Sequence, residues 1–207
     1  MAGGRGRRLL TVGTEKPLLE VGGLPLIARV AGALEQVNGL PPLLVATSPH
    51  TPATERYARS RGWEVVRTPG AGYASDVAWL ACRYPRFFTV ASDLPFLRRE
   101  SWRAFLEATA RTSVPWVGLL PAICLPRGGS PSDLWSEAVP GLGPCRVVGV
   151  NMVAGPAPAP SRPYLFADPW VGVNVNTPED LRWAEGLLSA WASGGPPEGL
   201  EGRRNPL

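Results

Sequence analysis

Lysine is almost missing from this chain of 207 residues: Lys16 is the only one among 21 basic side chains. Where arginine fills nearly every other basic position, a solitary ammonium marks a place that needs a compact point charge. Histidine is as scarce, with His50 alone, and no Ser-His-Asp set supports triad catalysis. Cys82, Cys124 and Cys145 are odd in number, far apart and form no Cys-x-x-Cys pair. That excludes a disulfide framework and a zinc site and leaves small buried apolar residues. No apolar run approaches the roughly 18 residues of a membrane span, and the N-terminus has no long apolar core, so a cytoplasmic address is expected. The net charge of +4 is modest and its arginines are dispersed. A nucleic-acid partner is therefore not expected, and an anionic small molecule fits the charge as well.

Glycine and proline are abundant, 24 of each, but without a three-residue period, so frequent turns are expected and collagen is excluded. Apolar residues at 44% and charged residues at 18% are ordinary globular usage, and the length suits one domain. We expect that domain over residues 1–192, with a disordered tail at 193–207 where breakers crowd and periodicity stops.

Helical spacing predicts a first helix over 25–37. Buried strands are expected at 43–47, 64–67 and 87–91, each followed by a helix, with Thr51 capping the one that opens at Pro52. Residues 121–146 read as an insertion covering a sheet edge, 147–153 as a strand, 154–163 as a proline-rich connector and 171–175 as a last strand. Thr177-Pro178-Glu179-Asp180 then opens a helix with the apolar stripe Leu181, Ala184, Leu187, Leu188 and Trp191. This alternation predicts a Rossmann-like α/β fold, a mainly parallel sheet with helices on both faces, and ligands at the strands' carboxyl ends.

Several residues there could carry chemistry. Gly3, Gly4 and Gly6 let backbone amides approach a phosphate chain, with Arg7 and Lys16 supplying charge, although a flexible arm would use the same glycines. Gly70, Gly72 and Asp76 form a second glycine loop at a helix start, suited to contacts with a base or ribose, or to plain turn chemistry. Asp93 directly follows an apolar strand and is either a Mg²⁺ ligand or a turn residue. Asn174 and Asn176, two apart in the expected strand, share a face and serve a polar ligand or a loop cap. Thr177 and Asp180 read as caps and His50 as a loop residue. The eight tryptophans read mostly as core, with Trp116, Trp135 and Trp170 as candidate walls for a large apolar substrate.

In order, Ala2-Gly3-Gly4-Arg5-Gly6-Arg7, Glu15-Lys16-Pro17-Leu18, Ala46-Thr47-Ser48-Pro49, Gly70-Ala71-Gly72-Tyr73 with Asp76, Ser92-Asp93-Leu94 and Asn174-Val175-Asn176-Thr177 resemble the nucleotidyltransferases of the molybdenum-cofactor guanylyltransferase type. The resemblance covers about residues 2–192. Thr47-Ser48-Pro49-His50-Thr51-Pro52, the Gly72–Asp76 helix start and Asp168 ahead of Asn174 are most similar to the archaeal guanylyltransferases of cobamide synthesis, which use GTP and adenosylcobinamide phosphate. The resemblance implies a sheet of the nucleotide-diphospho-sugar transferase type. It implies GTP held by Ala2, Gly3, Gly4, Gly6, Thr47, Ser48, Gly70, Gly72 and Asp76, with Arg7, Lys16 and Asp93 catalytic. Asp93 and Asn174 would hold Mg²⁺, and Asn151, Asp168 and Asn176 would face the acceptor. GMP would pass from GTP to the phosphorylated corrinoid with pyrophosphate leaving, and a homodimer is compatible with this. Two alternatives stand beside it: transfer to molybdopterin or another phosphorylated small molecule, and a non-catalytic nucleotide-binding module.

In that family a hydrophobic strand precedes the glycine loop, whereas here the loop is already under way at Met1. The sheet is therefore expected to lack its first strand, leaving backbone groups on both neighbours unpaired at roughly 1–3 kcal/mol each. Five to ten upstream-encoded residues are expected to raise both stability and activity.

Overall fold

The computed structural model describes residues 1–4, 13–40, 42–125, 136–155 and 160–193. Gly6, Arg7, Trp135 and the expected tail beyond residue 193 lie outside them. No described helix is long and apolar enough to cross a membrane.

A 3₁₀ turn over Lys16–Leu18 leads into a hairpin of β1 (Glu20–Val21) and β2 (Leu24–Pro25). Its Gly22-Gly23 turn has φ +60° and +70°, values that only glycine reaches without strain. The hairpin takes Pro25 out of the expected first helix, so α1 runs over Leu26–Glu35. Next come β3 (Leu44–Thr47), α2 (Pro52–Ser60) and β4 (Glu64–Arg67), a parallel pair with its crossover helix. They are followed by α3 (Tyr73–Ala81), β5 (Arg86–Val90), α4 (Arg99–Thr109), β6 (Trp116–Pro121), β7 (Ser136–Val139), β8 (Gly143–Ala154), β9 (Arg162–Leu165) and α5 (Pro178–Ala192). The larger sheet has the order β5-β8-β6-β9, with β7 also on β8. β6 and β9 are parallel, and β8 runs antiparallel to its partners.

Three expectations need correction. Residues 171–175 are not a strand: Pro169–Gly172 form a 3₁₀ turn opened by the Asp168 carboxylate, which accepts from Trp170 N. Val171, Val173 and Val175 are wholly buried all the same, because a continuous apolar run reports burial and not ladder pairing. The proline-rich connector contains a strand, β9, and Pro163 is tolerated there because β9 ends the sheet order and an edge strand can spare an N–H. The supposed insertion resolves, within its described part, into a 3₁₀ turn at Ala122–Cys124 and the β7–β8 hairpin. Of the cysteines, Cys145 is buried, while Cys124 is half-buried and Cys82 exposed.

Three apolar clusters hold these elements. The largest packs Trp102 and Phe105 of α4 on Val148, Val150 and Met152 of β8 and on Phe166. The second joins Val21, Leu26, Phe96 and Trp170 to Ala184 and Leu187 of α5. That helix starts on the expected capping box, with the Thr177 and Asp180 side chains each bonded to the other's backbone N–H. Trp170 is therefore core, and Trp116 packs at the margin of the largest cluster. The third cluster is small: Ala2, Ile27, Val45 and Ala58.

β3 and β5 belong to different sheets, and among the described residues no strand pairs with both across the space between them. Met1 and Ala2 bridge only its far end: Ala2 N donates to Ala46 O at 2.8 Å, the Met1 ammonium to Val90 O at 2.6 Å, and Ser92 N to Met1 O at 3.2 Å. Beyond Met1 the space is a groove of about 920 Å³, walled by Ala46, Val66, Leu80, Phe88 and Trp102.

Candidate active site

Above Met1 and Ala2, where β3 and β5 end, a second cavity of about 490 Å³ opens. Its walls come from Met1–Gly4, from Lys16 and Pro17, from Gly70–Tyr73 with Asp76, and from Ala91–Asp93. The size suits a small-molecule ligand.

The opening segment is fixed to β3 and the turn after it. Ser48 Oγ donates to Gly3 O at 2.7 Å, and a Cβ on Gly3 would lie 3.1 Å from Ser48 Cβ and 3.3 Å from the Thr47 carbonyl carbon. Gly4 is the opposite case, since a Cβ there would meet no atom of the described residues within 4 Å. Gly3 thus serves close packing, and Gly4 leaves backbone open to the cavity. On the facing wall, Asp76 Oδ1 accepts from Gly70 N at 2.9 Å and Ala71 N at 3.3 Å, which folds the second glycine loop inward. Gly70 has φ +72°, and a Cβ there would crowd Ser48 Cβ at 3.0 Å and His50 Cδ2 at 3.1 Å.

Lys16 is the centre of the polar cluster. Its Nζ donates to Asp93 Oδ2 and Asn176 Oδ1, both at 2.5 Å, and the Lys16 and Asp93 side chains are only 18% and 16% exposed. Asn174 Nδ2 lies 3.5 Å from Asp93 Oδ1, at the limit of a useful contact, and Asn174 Oδ1 is buried without a partner. Asn176 is held in turn by the capping box, because its N–H donates to Asp180 Oδ2 at 2.9 Å. The Met1 ammonium completes the floor. Burial pushes it down from 8.0 to about 6, against the opposing pull of Asp93.

Of the expected site residues, Ala2, Gly3, Gly4, Lys16, Gly70, Gly72, Asp76 and Asp93 therefore line one cavity. Ser48 touches its rim through Gly3. Thr47 is fully buried, and its carbonyl accepts from Thr68 N and Oγ1. Asn174 and Asn176, expected on the acceptor or metal side, meet at the Lys16–Asp93 pair. Asn151 reaches the wall indirectly by donating to Tyr73 Oη at 2.8 Å, while Tyr73 also bonds Thr89 Oγ1 at 3.0 Å. Asp168 stands away from the cavity lining, bonded to Ser101 Oγ at 2.5 Å and Trp170 N at 3.0 Å.

The expected cap at Thr51 is replaced from a distance. Thr51 Oγ1 accepts from Ser48 N, and the first turn of α2 is capped instead by Glu15. Its carboxylate accepts from Ala53 N, Thr54 N and Thr54 Oγ1, each at 2.7 Å. Nothing local in the sequence announces a cap 38 residues away; the only signal is the place of Glu15 directly before the lone lysine.

Residues 1–122 match the family described as the MobA-like NTP transferase domain. The chain is 31% identical over 198 residues to a curated adenosylcobinamide-phosphate guanylyltransferase of Methanocaldococcus jannaschii, covering 91% of this chain and 95% of that protein. The fold recurs in solved structures, two of which serve as examples. One is a CMP:2-keto-3-deoxy-manno-octonic acid synthetase complexed with CTP, with TM-score 0.60 and 14% identity. The other is a 4-diphosphocytidyl-2C-methyl-D-erythritol synthase, with TM-score 0.63 and 16% identity. Each alignment covers 84% of this chain and 92% of the other.

Proposed function

The chain belongs to the MobA-like NTP transferase family of nucleotidyltransferases, and on that premise we propose that it transfers GMP from GTP to adenosylcobinamide phosphate. The observation that carries this reading is the convergence of the glycine segment, the lone lysine and the strand-end aspartate on one cavity at the ends of β3 and β5. The name of the archaeal relative supports the choice of substrates.

In this reading an oxygen of the acceptor phosphate attacks the α-phosphorus in line and its lone pair forms the new P–O bond. The bond from that phosphorus to the bridging oxygen breaks, and its electron pair leaves on pyrophosphate. An ionised phosphate needs no general base, which fits a cavity without histidine in its walls. The protein's work is positioning and charge neutralisation. The open backbone at Gly4 lies against the phosphates, and Lys16 offsets charge on them.

The residues present also fit Mg²⁺. Asp93 offers a carboxylate and Asn174 an amide oxygen without a partner, a small set of hard donors that leaves room for phosphate and water ligands. Bound there, the ion would supply further neutralisation of the triphosphate. Among the described residues no group of three or more His, Cys, Asp or Glu forms a closed metal cage.

Pyrophosphate release tests the reading when GTP, ATP and CTP are each offered with adenosylcobinamide phosphate, molybdopterin or a sugar phosphate. Release with GTP and the corrinoid is expected to exceed every other pair. Equal or greater release with another acceptor would transfer the assignment to that acceptor, and GTP binding without release from any pair would support a non-catalytic module.

A further inference from the structure

We propose that Glu15 is a positioning residue for Lys16: by clamping the chain onto the first turn of α2, it sets where the lone ammonium stands. The inference rests on the nucleotidyl-transfer reading only for its kinetic consequence. Glu15 has no place in the polar cluster and does not line the cavity. Its carboxylate instead takes three donors at 2.7 Å from Ala53 and Thr54. Those amides belong to the helix end that lacks partners of its own and favours negative charge, and Thr54 is fully buried.

The next residue is Lys16, and Pro17 behind it is buried in the 3₁₀ turn. Backbone held on both sides leaves the lysine stem a narrow choice of directions. The same β3–α2 junction also holds the glycine segment, through Ala2 N to Ala46 O and Ser48 Oγ to Gly3 O. One rigid corner thus references both the phosphate-facing backbone and the ammonium, and a misplacement on the order of 1 Å can cost about 100-fold in rate.

Since Lys16 is the only lysine, lysine-selective ¹⁵N labelling gives one side-chain ammonium resonance, a readout independent of any activity. In the wild-type chain that resonance should differ from that of solvated lysine, and Glu15→Gln should move it toward the solvated position. Thr54→Val, which removes one of the three donors and leaves the lysine segment untouched, should move it less in the same direction. In kinetics, Glu15→Gln should lower kcat by about 10- to 100-fold and have no further effect in a Lys16→Ala background, whereas a merely structural role would lower both backgrounds alike.

An unmoved Lys16 resonance in a folded Glu15→Gln protein overturns the proposal, as does an equal loss of kcat with and without Lys16. If the wild-type chain releases no pyrophosphate from any substrate pair, the functional reading fails and the resonance alone decides the role of Glu15.

Discussion

Lys16 Nζ and Asp93 Oδ2 stand 2.5 Å apart although 77 positions separate them in the chain. The contact joins the segment after the glycines to the end of β5, and Asn176 reaches the same ammonium from the turn before α5. Lys16→Ala should lower pyrophosphate release by about 10²–10³-fold, the usual cost of removing one charge-stabilising group. Lys16→Arg should recover little of it, because a planar fork cannot take up the same two short bonds. Steady-state release with GTP measures both, and full activity of the arginine variant would dismiss the need for a compact charge.

The two neighbouring glycines should separate stability from binding. A methyl group on Gly3 must push against Ser48 and the Thr47 backbone, so Gly3→Ala should cost about 1–3 kcal/mol by overpacking. At about 2–4 °C per kcal/mol for a domain of this size, thermal melting resolves that loss. Gly4→Ala meets no atom of the described residues and should melt like the wild type, while its affinity for GTP drops. Unchanged GTP affinity in Gly4→Ala would show that this backbone does not face the nucleotide.

Acid should loosen α2 from β4 through Glu55. Side-chain hydrogen bonds from Arg67 first, and then from Arg59, hold its carboxyl at about 2, below its usual 4.5. A carboxylate with a depressed folded pKa stabilises the protein fully above the unfolded value and loses that contribution as protons bind. The stabilisation should therefore be intact above about pH 4.5 and fade from there toward pH 2. Melting temperature followed across that window should fall less steeply for Glu55→Gln than for the wild type; identical slopes would place the acid sensitivity elsewhere.

The groove between β3 and β5 should accept a strand. About five apolar, β-branched residues joined ahead of Met1 would continue the bonds that Met1 and Ala2 begin and cover apolar walls now open. Such an extension should raise the melting temperature and, on the proposed reading, tighten GTP binding, because Met1–Gly4 line the candidate cavity as well. A glycine-serine extension of equal length is the control, and equal effects of the two would rule out strand pairing.

Much of the candidate cavity's lining could be read from residue type and place. A lone lysine among arginines and an aspartate directly after an apolar strand were sufficient to bring Lys16 and Asp93 forward, and Thr177–Asp180 announced its own capping box. Asn174 and Asn176 reach the cluster by another route than the one expected, because their segment is an irregular stretch and not a strand. What remained hidden depends on tertiary partners: the cap that Glu15 gives to α2, the edge position that makes Pro163 acceptable in β9, and the bond that Asp168 accepts from Ser101 away from the cavity lining. No local periodicity encodes such pairings.

With no ladder joining β3 to β5, the β3–α2–β4 unit leans mainly on the smallest of the three apolar clusters. It should be the first cooperative unit to open, its amides exchanging with deuterium well ahead of those in β8. A nucleotide lodged above Met1 would touch walls from both sides of the break, and so would slow that exchange by serving as the mortar between them.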